Sequence, residues 1–126
     1  MGKPLKIFVV DDNFHARDIL KRMLMTLDMN IEIVGEAETG QEAILMYEDA
    51  GPDIVMLELD NLSHLRSIDV VRALRSMGSA RVVMCIMCKD KHLLTEFHNA
   101  DLLDDFIEKP YIRAKVGATL KAVAGL

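Results

Sequence analysis

Five side chains in this sequence invite chemistry: the adjacent acids Asp11 and Asp12, the acids Glu58 and Asp60, and Lys109 in front of Pro110. Each group stands at or just past the end of a short run that reads as a strand, the last of them, Asp105 to Glu108, being short and acidic. Asp11 and Asp12 follow Lys6 to Val10, Glu58 follows Ile54 to Leu57 with Asp60 two residues on, and Lys109 follows Asp105 to Glu108. If those runs are neighbouring strands that point the same way, these acids and the lysine converge at their carboxyl ends. Crowded carboxylates raise one another's pKa unless a cation sits among them, and hard oxygen ligands with room for water suit Mg²⁺. The lysine would supply a positive point for a transferring phosphoryl group or for a neighbouring carboxylate. Taken singly the pieces are ordinary, because Asp-Asp after a strand is a common helix-capping turn and Lys-Pro a common loop. Their joint placement is what points to one chemistry.

Convergence needs a parallel sheet, and the rest of the chain has the pattern of one. Short β-branched runs alternate with segments of helical period, which predicts strands covered on both faces. The five expected strands are Lys6 to Val10, Ile31 to Gly35, Ile54 to Leu57, Val82 to Met87 and Asp105 to Glu108. A first helix is expected from Phe14 to Leu27, with Asn13 as N-cap and Ala16, Leu20, Met23, Leu24 and Leu27 on one face. Thr39-Gly40-Gln41-Glu42 has capping-box spacing and opens a second helix carrying Ala43, Ile44 and Tyr47, which Gly51-Pro52 stops. A third helix carries Ile68, Val71 and Leu74, a fourth Leu94 and Phe97, and a fifth Ile112, Val116, Leu120 and Val123.

At 126 residues the chain has the length of one domain, 1–126, able to bury a core of its own. Its 51% hydrophobic and 28% charged residues are those of a water-soluble globular protein, and no apolar run reaches the ~20 residues of a membrane span. The opening stretch reads as a strand and not as a signal peptide, which makes the cytoplasm the expected location. A formal charge of −5 with no basic run argues against direct nucleic-acid binding. Cys85 and Cys88 have redox-like spacing, but Cys85 lies within an apolar strand, where side chains three apart point to opposite faces, so both are expected as reduced packing residues. His15, His64, His92 and His98 share no metal-ligand spacing and are expected at the surface. Most of the nine methionines fall on apolar faces and are expected in packing.

Four stretches resemble the receiver domain of bacterial response regulators: Val9 to Asn13, Gly35 to Ala43, Pro52 to Leu57 and Lys109-Pro110-Tyr111. The resemblance covers nearly the whole chain. It implies a flavodoxin-like (βα)5 fold, a doubly wound parallel five-stranded sheet in the order 2-1-3-4-5, with a phosphorylation pocket at the carboxyl edge and a place in a two-component phosphorelay. Residue by residue, Asp11 and Asp12 would hold Mg²⁺ together with Glu58, Asp60 would offer it a backbone carbonyl, and Lys109 would bind phosphoryl oxygens. Partners would be a histidine kinase, a phosphotransfer protein or an output domain. In the family the fourth helix, fifth strand and fifth helix commonly form a contact face for dimers or output partners, here including His92, Glu96, Lys115 and Lys121.

Three positions depart from the family pattern. The phosphoacceptor aspartate falls on Glu58, one methylene longer. The hydroxyl residue that ends the fourth strand falls on Ile86 or Met87, and the aromatic residue that turns inward with it falls on Phe106. The Met-Pro and Gly of the loop after the third strand are missing from Asp60 to Ser67. These departures imply a degenerate receiver with impaired aspartyl phosphorylation and weakened Mg²⁺ binding, acting through protein contacts and not as an enzyme. A competing expectation keeps slow, Mg²⁺-dependent phosphorylation of Glu58 or Asp60; Asp53 is a poor acceptor, because it starts the third strand at the opposite edge. A flavin-binding domain would need a donor-rich phosphate loop where Asp11-Asp12 stands. A phosphohydrolase with an aspartyl nucleophile would want two acids separated by one residue there.

Overall fold

The buried faces of the strands alternate strictly, and that alternation places the helices. In a computed structural model that describes residues 2–58, 67–87, 94–99, 101–102 and 104–126, the chain runs β1 (Leu5–Val10), α1 (Phe14–Met25), β2 (Ile31–Ala37), α2 (Gly40–Ala50), β3 (Ile54–Glu58), α3 (Ser67–Met77), β4 (Arg81–Met87), α4 (Leu94–Asn99), β5 (Asp105–Lys109) and α5 (Arg113–Ala124). The five strands form one sheet in the order β2-β1-β3-β4-β5, and every pairing is parallel. This is the flavodoxin-like order that the resemblance to receiver domains implies.

On one side of the sheet Phe8, Val10, Val55, Leu57, Val82, Met84 and Ile86 pack with Ala43 and Tyr47 of α2, Ile68, Val71 and Leu74 of α3 and Phe97 of α4. On the other, Ile7, Val9, Ile54, Met56, Val83, Cys85 and Ile107 pack with Leu20 and Leu24 of α1 and Val116 and Leu120 of α5. Neighbouring residues of a strand therefore enter opposite cores, the two-residue period of a sheet covered on both faces. Gly40 lets α2 and α3 meet closely, since a Cβ there would lie 2.4 Å from Val70 Cγ2.

The ends of the elements differ from expectation for identifiable reasons. α1 stops at Met25, because the Thr26 hydroxyl bonds the Met23 carbonyl at 2.7 Å and Leu27 falls past the cap. β2 continues to Ala37, where Glu36 and Ala37 pair with Val9 and Val10 after a register shift at Ile7/Phe8. Ile112 is not on the buried face of α5 but is its N-cap and half-exposed, so the apolar stripe begins at Val116. The cap at α2 is as read: Thr39 Oγ1 accepts from the Glu42 amide at 3.1 Å, and Gly51, at φ 57°, closes the helix in a left-handed conformation.

Candidate functional site: an acidic pocket at the carboxyl edge

Parallel strands deliver their carboxyl ends to one edge, so Asp11, Glu58 and Lys109 arrive together although far apart in sequence. Lys109 Nζ donates to Asp11 Oδ2 at 3.0 Å and to Glu58 Oε2 at 3.0 Å. One carboxylate oxygen from each of Asp11, Asp12 and Glu58 lies within 4.8 Å of the others. Asp11 and Glu58 are buried and Asp12 is exposed. Three hard oxygen donors converging on one point, one of them open to water, fit a small divalent cation. Burial acts against the charge on Lys109, but its hydrogen bonds to Glu58 and Asp11 outweigh that and raise its pKa. Asp12 is also raised, by desolvation and by the Asp11 charge beside it, against the pull of Lys109.

The surroundings hold these groups in place. Asn13 donates its amide to Asp11 Oδ1 at 2.9 Å while its own side chain caps α1 through Ala16 N at 3.0 Å. Arg17 Nη1 donates to the Asp11 carbonyl at 2.6 Å, and its Nε to Glu36 Oε1 at 2.7 Å. Lys109 Nζ lies 6.0 Å from the centre of the Tyr111 ring. The Lys109–Pro110 peptide is cis. Burial and contact with Cys85 push the Tyr111 phenol well above its usual range, and burial pushes the Cys85 thiol up to about 12.

The response regulator receiver domain family matches residues 7–121, almost the length of the chain. The chain belongs to this family. It is 32% identical over 125 residues to the chemotaxis protein CheY of Listeria monocytogenes, covering 95% of this chain and 98% of that one. It is 33% identical over 117 residues to the sensory transduction protein LytT of Bacillus cereus, covering 93% of this chain but 46% of LytT. The receiver thus spans about half of one kind of relative and nearly all of another. Among solved structures, CheY in a CheX-CheY-BeF3-Mg²⁺ complex from Borrelia burgdorferi superposes with a TM-score of 0.83 at 26% identity, over 98% of this chain and 91% of that one. The response regulator domain of Thermotoga maritima CheB matches the fold at a TM-score of 0.79 and 22% identity, over 98% of this chain and 96% of that one.

Within this receiver the candidate residues sort cleanly. Asp11, Asp12, Glu58 and Lys109 meet in one pocket. Asp60, the loop to Arg66, Cys88, His64 and His92 lie outside the described residues, as does the Glu96 side chain. Asp53 sits at the opposite edge, where Oδ2 accepts from the Lys6 amide at 2.9 Å. Of the two positions considered for the strand-end hydroxyl, Ile86 is fully buried in the core that Phe97 and Phe106 join, while Met87 is 41% exposed. Met84 pairs with Phe106 across the β4–β5 ladder, so Ile86 is the position that faces the aromatic residue's side of the sheet. His15 and His98 are exposed, and Cys85 is buried and unpaired by any disulfide.

Sequence reading missed Arg17. Among the described residues three charged side chains are buried, Asp11, Arg17 and Glu58, and Arg17 is the cation among them. The signal was available: position 17 precedes Leu20 by three and Leu24 by seven, on the apolar stripe itself, and a charge on that stripe needs partners.

Proposed function

We propose that this receiver is held in one state by its own carboxylate, and signals through a protein-binding surface and not through ordinary aspartyl phosphorylation. The observation that carries this reading is the bridge of Lys109 Nζ to both Glu58 Oε2 and Asp11 Oδ2, at 3.0 Å each, with Glu58 only 7% exposed. The added methylene of Glu58 carries its carboxylate roughly an ångström further than an aspartate would reach, and a misplacement of that size costs ~10²-fold in an in-line transfer. The same reach brings it to Lys109. At Ile86 no hydroxyl is available to follow a phosphoryl group, so the usual coupling of the pocket to Phe106 lacks its moving part.

Asp11, Asp12 and Glu58 would hold Mg²⁺ if it binds, and the ion would then supply positive charge to phosphoryl oxygens. Lys109 is already committed to two of those acids, which weakens the site for metal. The competing reading is slow Mg²⁺-dependent acceptance of phosphate by Glu58 or Asp60. The fitting partners are a histidine kinase, a phosphotransfer protein or an output domain, or a second copy through the face of α4, β5 and α5. The role is regulatory and not enzymatic, in the cytoplasm and without direct nucleic-acid contact; among the described residues no helix is long and apolar enough to cross a membrane.

Intact mass after incubation with a small-molecule phosphodonor, with and without Mg²⁺, tests the proposal. Unmodified protein, shown folded by its circular dichroism, is the expected result. A Mg²⁺-dependent single adduct mapped to Glu58 or Asp60 sinks it in favour of a slow phosphorylation switch.

A further inference from the structure

Arg17 is 5% exposed on the buried stripe of α1. A guanidinium persists in such a place only when its donors are engaged. Nε donates to Glu36 Oε1 at 2.7 Å, Nη1 to the Asp11 carbonyl at 2.6 Å, and Nη2 lies 3.7 Å from Glu38 Oε1. Glu36 is itself held by Lys21 Nζ, and the hydrogen bonds from Lys21 and Arg17 keep its carboxyl below the usual range. The carbonyl that Arg17 grips belongs to the peptide joining Asp11 to Asp12. Every other polar atom of Asp11 is also committed: its amide donates to the Ala37 carbonyl at 3.1 Å, Oδ1 accepts from Asn13 N at 2.9 Å, and Oδ2 from Lys109 at 3.0 Å. Asp12 is exposed and follows that peptide directly, so the peptide's orientation sets the point from which its side chain leaves the chain.

We propose that Arg17 is a positioning residue for the acidic pair: by holding the Asp11–Asp12 peptide against the end of β2, it sets the separation at which Asp11, Asp12 and Glu58 present their oxygens. This rests on the acidic pocket being the working site of the receiver, and not on whether Glu58 accepts a phosphoryl group. The planar fork is essential, because it serves the Asp11 carbonyl and Glu36 at once, and a lysine ammonium at the same place has neither the reach nor the geometry for both.

Two readouts test it on Arg17→Lys and Arg17→Gln in the full chain. Amide hydrogen exchange at Asn13, whose N–H bonds Asp11 Oδ1, reports local order, and titration with Mn²⁺ alone, followed by water-proton relaxation, reports the set of the oxygens. Outer-shell partners of a metal site are worth about 10–100-fold in affinity, so both variants should bind Mn²⁺ at least tenfold more weakly. Exchange at Asn13 should rise about tenfold while the sheet amides of Val9, Val55 and Val83 stay within about twofold of wild type. Equal acceleration at all these amides, or Asn13 exchange unchanged, overturns the proposal. If wild-type protein takes up no Mn²⁺, the metal reading of the pocket fails on its own account and Asn13 exchange alone decides for Arg17. Should the Arg17 variants not fold, Glu36→Gln loosens the same guanidinium from its outer anchor, and an unchanged Asn13 amide there overturns the proposal equally.

Discussion

Lys109→Met keeps most of the side-chain length and removes the ammonium that Asp11 and Glu58 share. Those carboxylates are 3% and 7% exposed, and each lies 3.0 Å from Lys109 Nζ. Removing one partner of a buried ion pair costs about 3–5 kcal/mol, a large fraction of the roughly 5–15 kcal/mol that stabilises a domain. The loss should depend on pH in a definite direction. In wild type the folded pKa of Lys109 is raised, so its contribution is complete below the ordinary lysine range and is lost as pH rises through that raised value, above about pH 10.5. In the variant two buried carboxylates face each other, and the folded pKa of one rises above its unfolded value. That group favours the folded state at acid pH, and its contribution disappears as pH rises. Urea unfolding in EDTA should therefore show a variant about 3–5 kcal/mol less stable than wild type at pH 8, and a distinctly smaller difference at pH 5. Adding Glu58→Gln to the variant should restore part of the loss at pH 8. A difference below about 1 kcal/mol at pH 8, or one identical at the two pH values, would refute the account of Lys109 as a buried counter-ion.

Three further outcomes are expected. Glu58→Asp combined with Ile86→Thr should accept phosphate from a small-molecule donor in Mg²⁺ about 10²-fold faster than wild type, read as an acid-labile mass adduct at position 58; a double variant as inert as wild type would count against the reach argument. Gly40→Ala puts a Cβ 2.4 Å from Val70 Cγ2, so the α2–α3 contact must open and chemical denaturation should show a loss of about 1–3 kcal/mol. The Cys85 thiol, buried and pushed up to about 12, should react with a small thiol reagent at pH 8 only as fast as the protein opens, so that peptide mapping shows labelling at Cys85 tracking unfolding in urea.

The strand positions were legible because a parallel sheet covered on both faces imposes continuous apolar runs, such as Ile54 to Leu57, whereas the strand order came only from the resemblance to receiver domains. The meeting of Asp11, Glu58 and Lys109 followed from that topology, since parallel strands must deliver their ends to one edge. What could not be read was anything decided by a side chain's reach. Sequence alone left the strand-end position between Ile86 and Met87, and only the β4–β5 register separates a buried residue from an exposed one. Ile112 looked like the first rung of the α5 stripe, but a helix boundary is set by backbone capping, and one residue of difference turned it to solvent. Arg17 was passed over because a guanidinium on an apolar stripe makes sense only once its acceptors, Glu36 and the Asp11 carbonyl, are seen across from it.

Under the proposed reading, Glu58 and Ile86 act as one change and not two. Glu58 pairs with Cys85 across β3 and β4, which places Ile86 one residue beyond it at the same edge, fully buried against the core that Phe97 and Phe106 join. A threonine hydroxyl there has a natural partner only when a phosphoryl oxygen arrives in the pocket. With Glu58 engaged by Lys109 no such oxygen is expected, and a buried hydroxyl left without a partner costs about 1–3 kcal/mol. An isoleucine removes that cost and adds apolar area to the same core. If Glu58 stands in the acceptor position, as proposed, a hydroxyl at position 86 would be a liability, and Glu58 and Ile86 would favour each other. It follows that Glu58→Asp alone should regain phosphate acceptance but not the structural response. Chemical-shift changes on phosphorylation should stop near the pocket in the single variant and extend to Phe106 and α4 only when Ile86→Thr is added. Propagation to Phe106 in the single variant would show that the pocket reaches this face by a route that needs no hydroxyl at position 86.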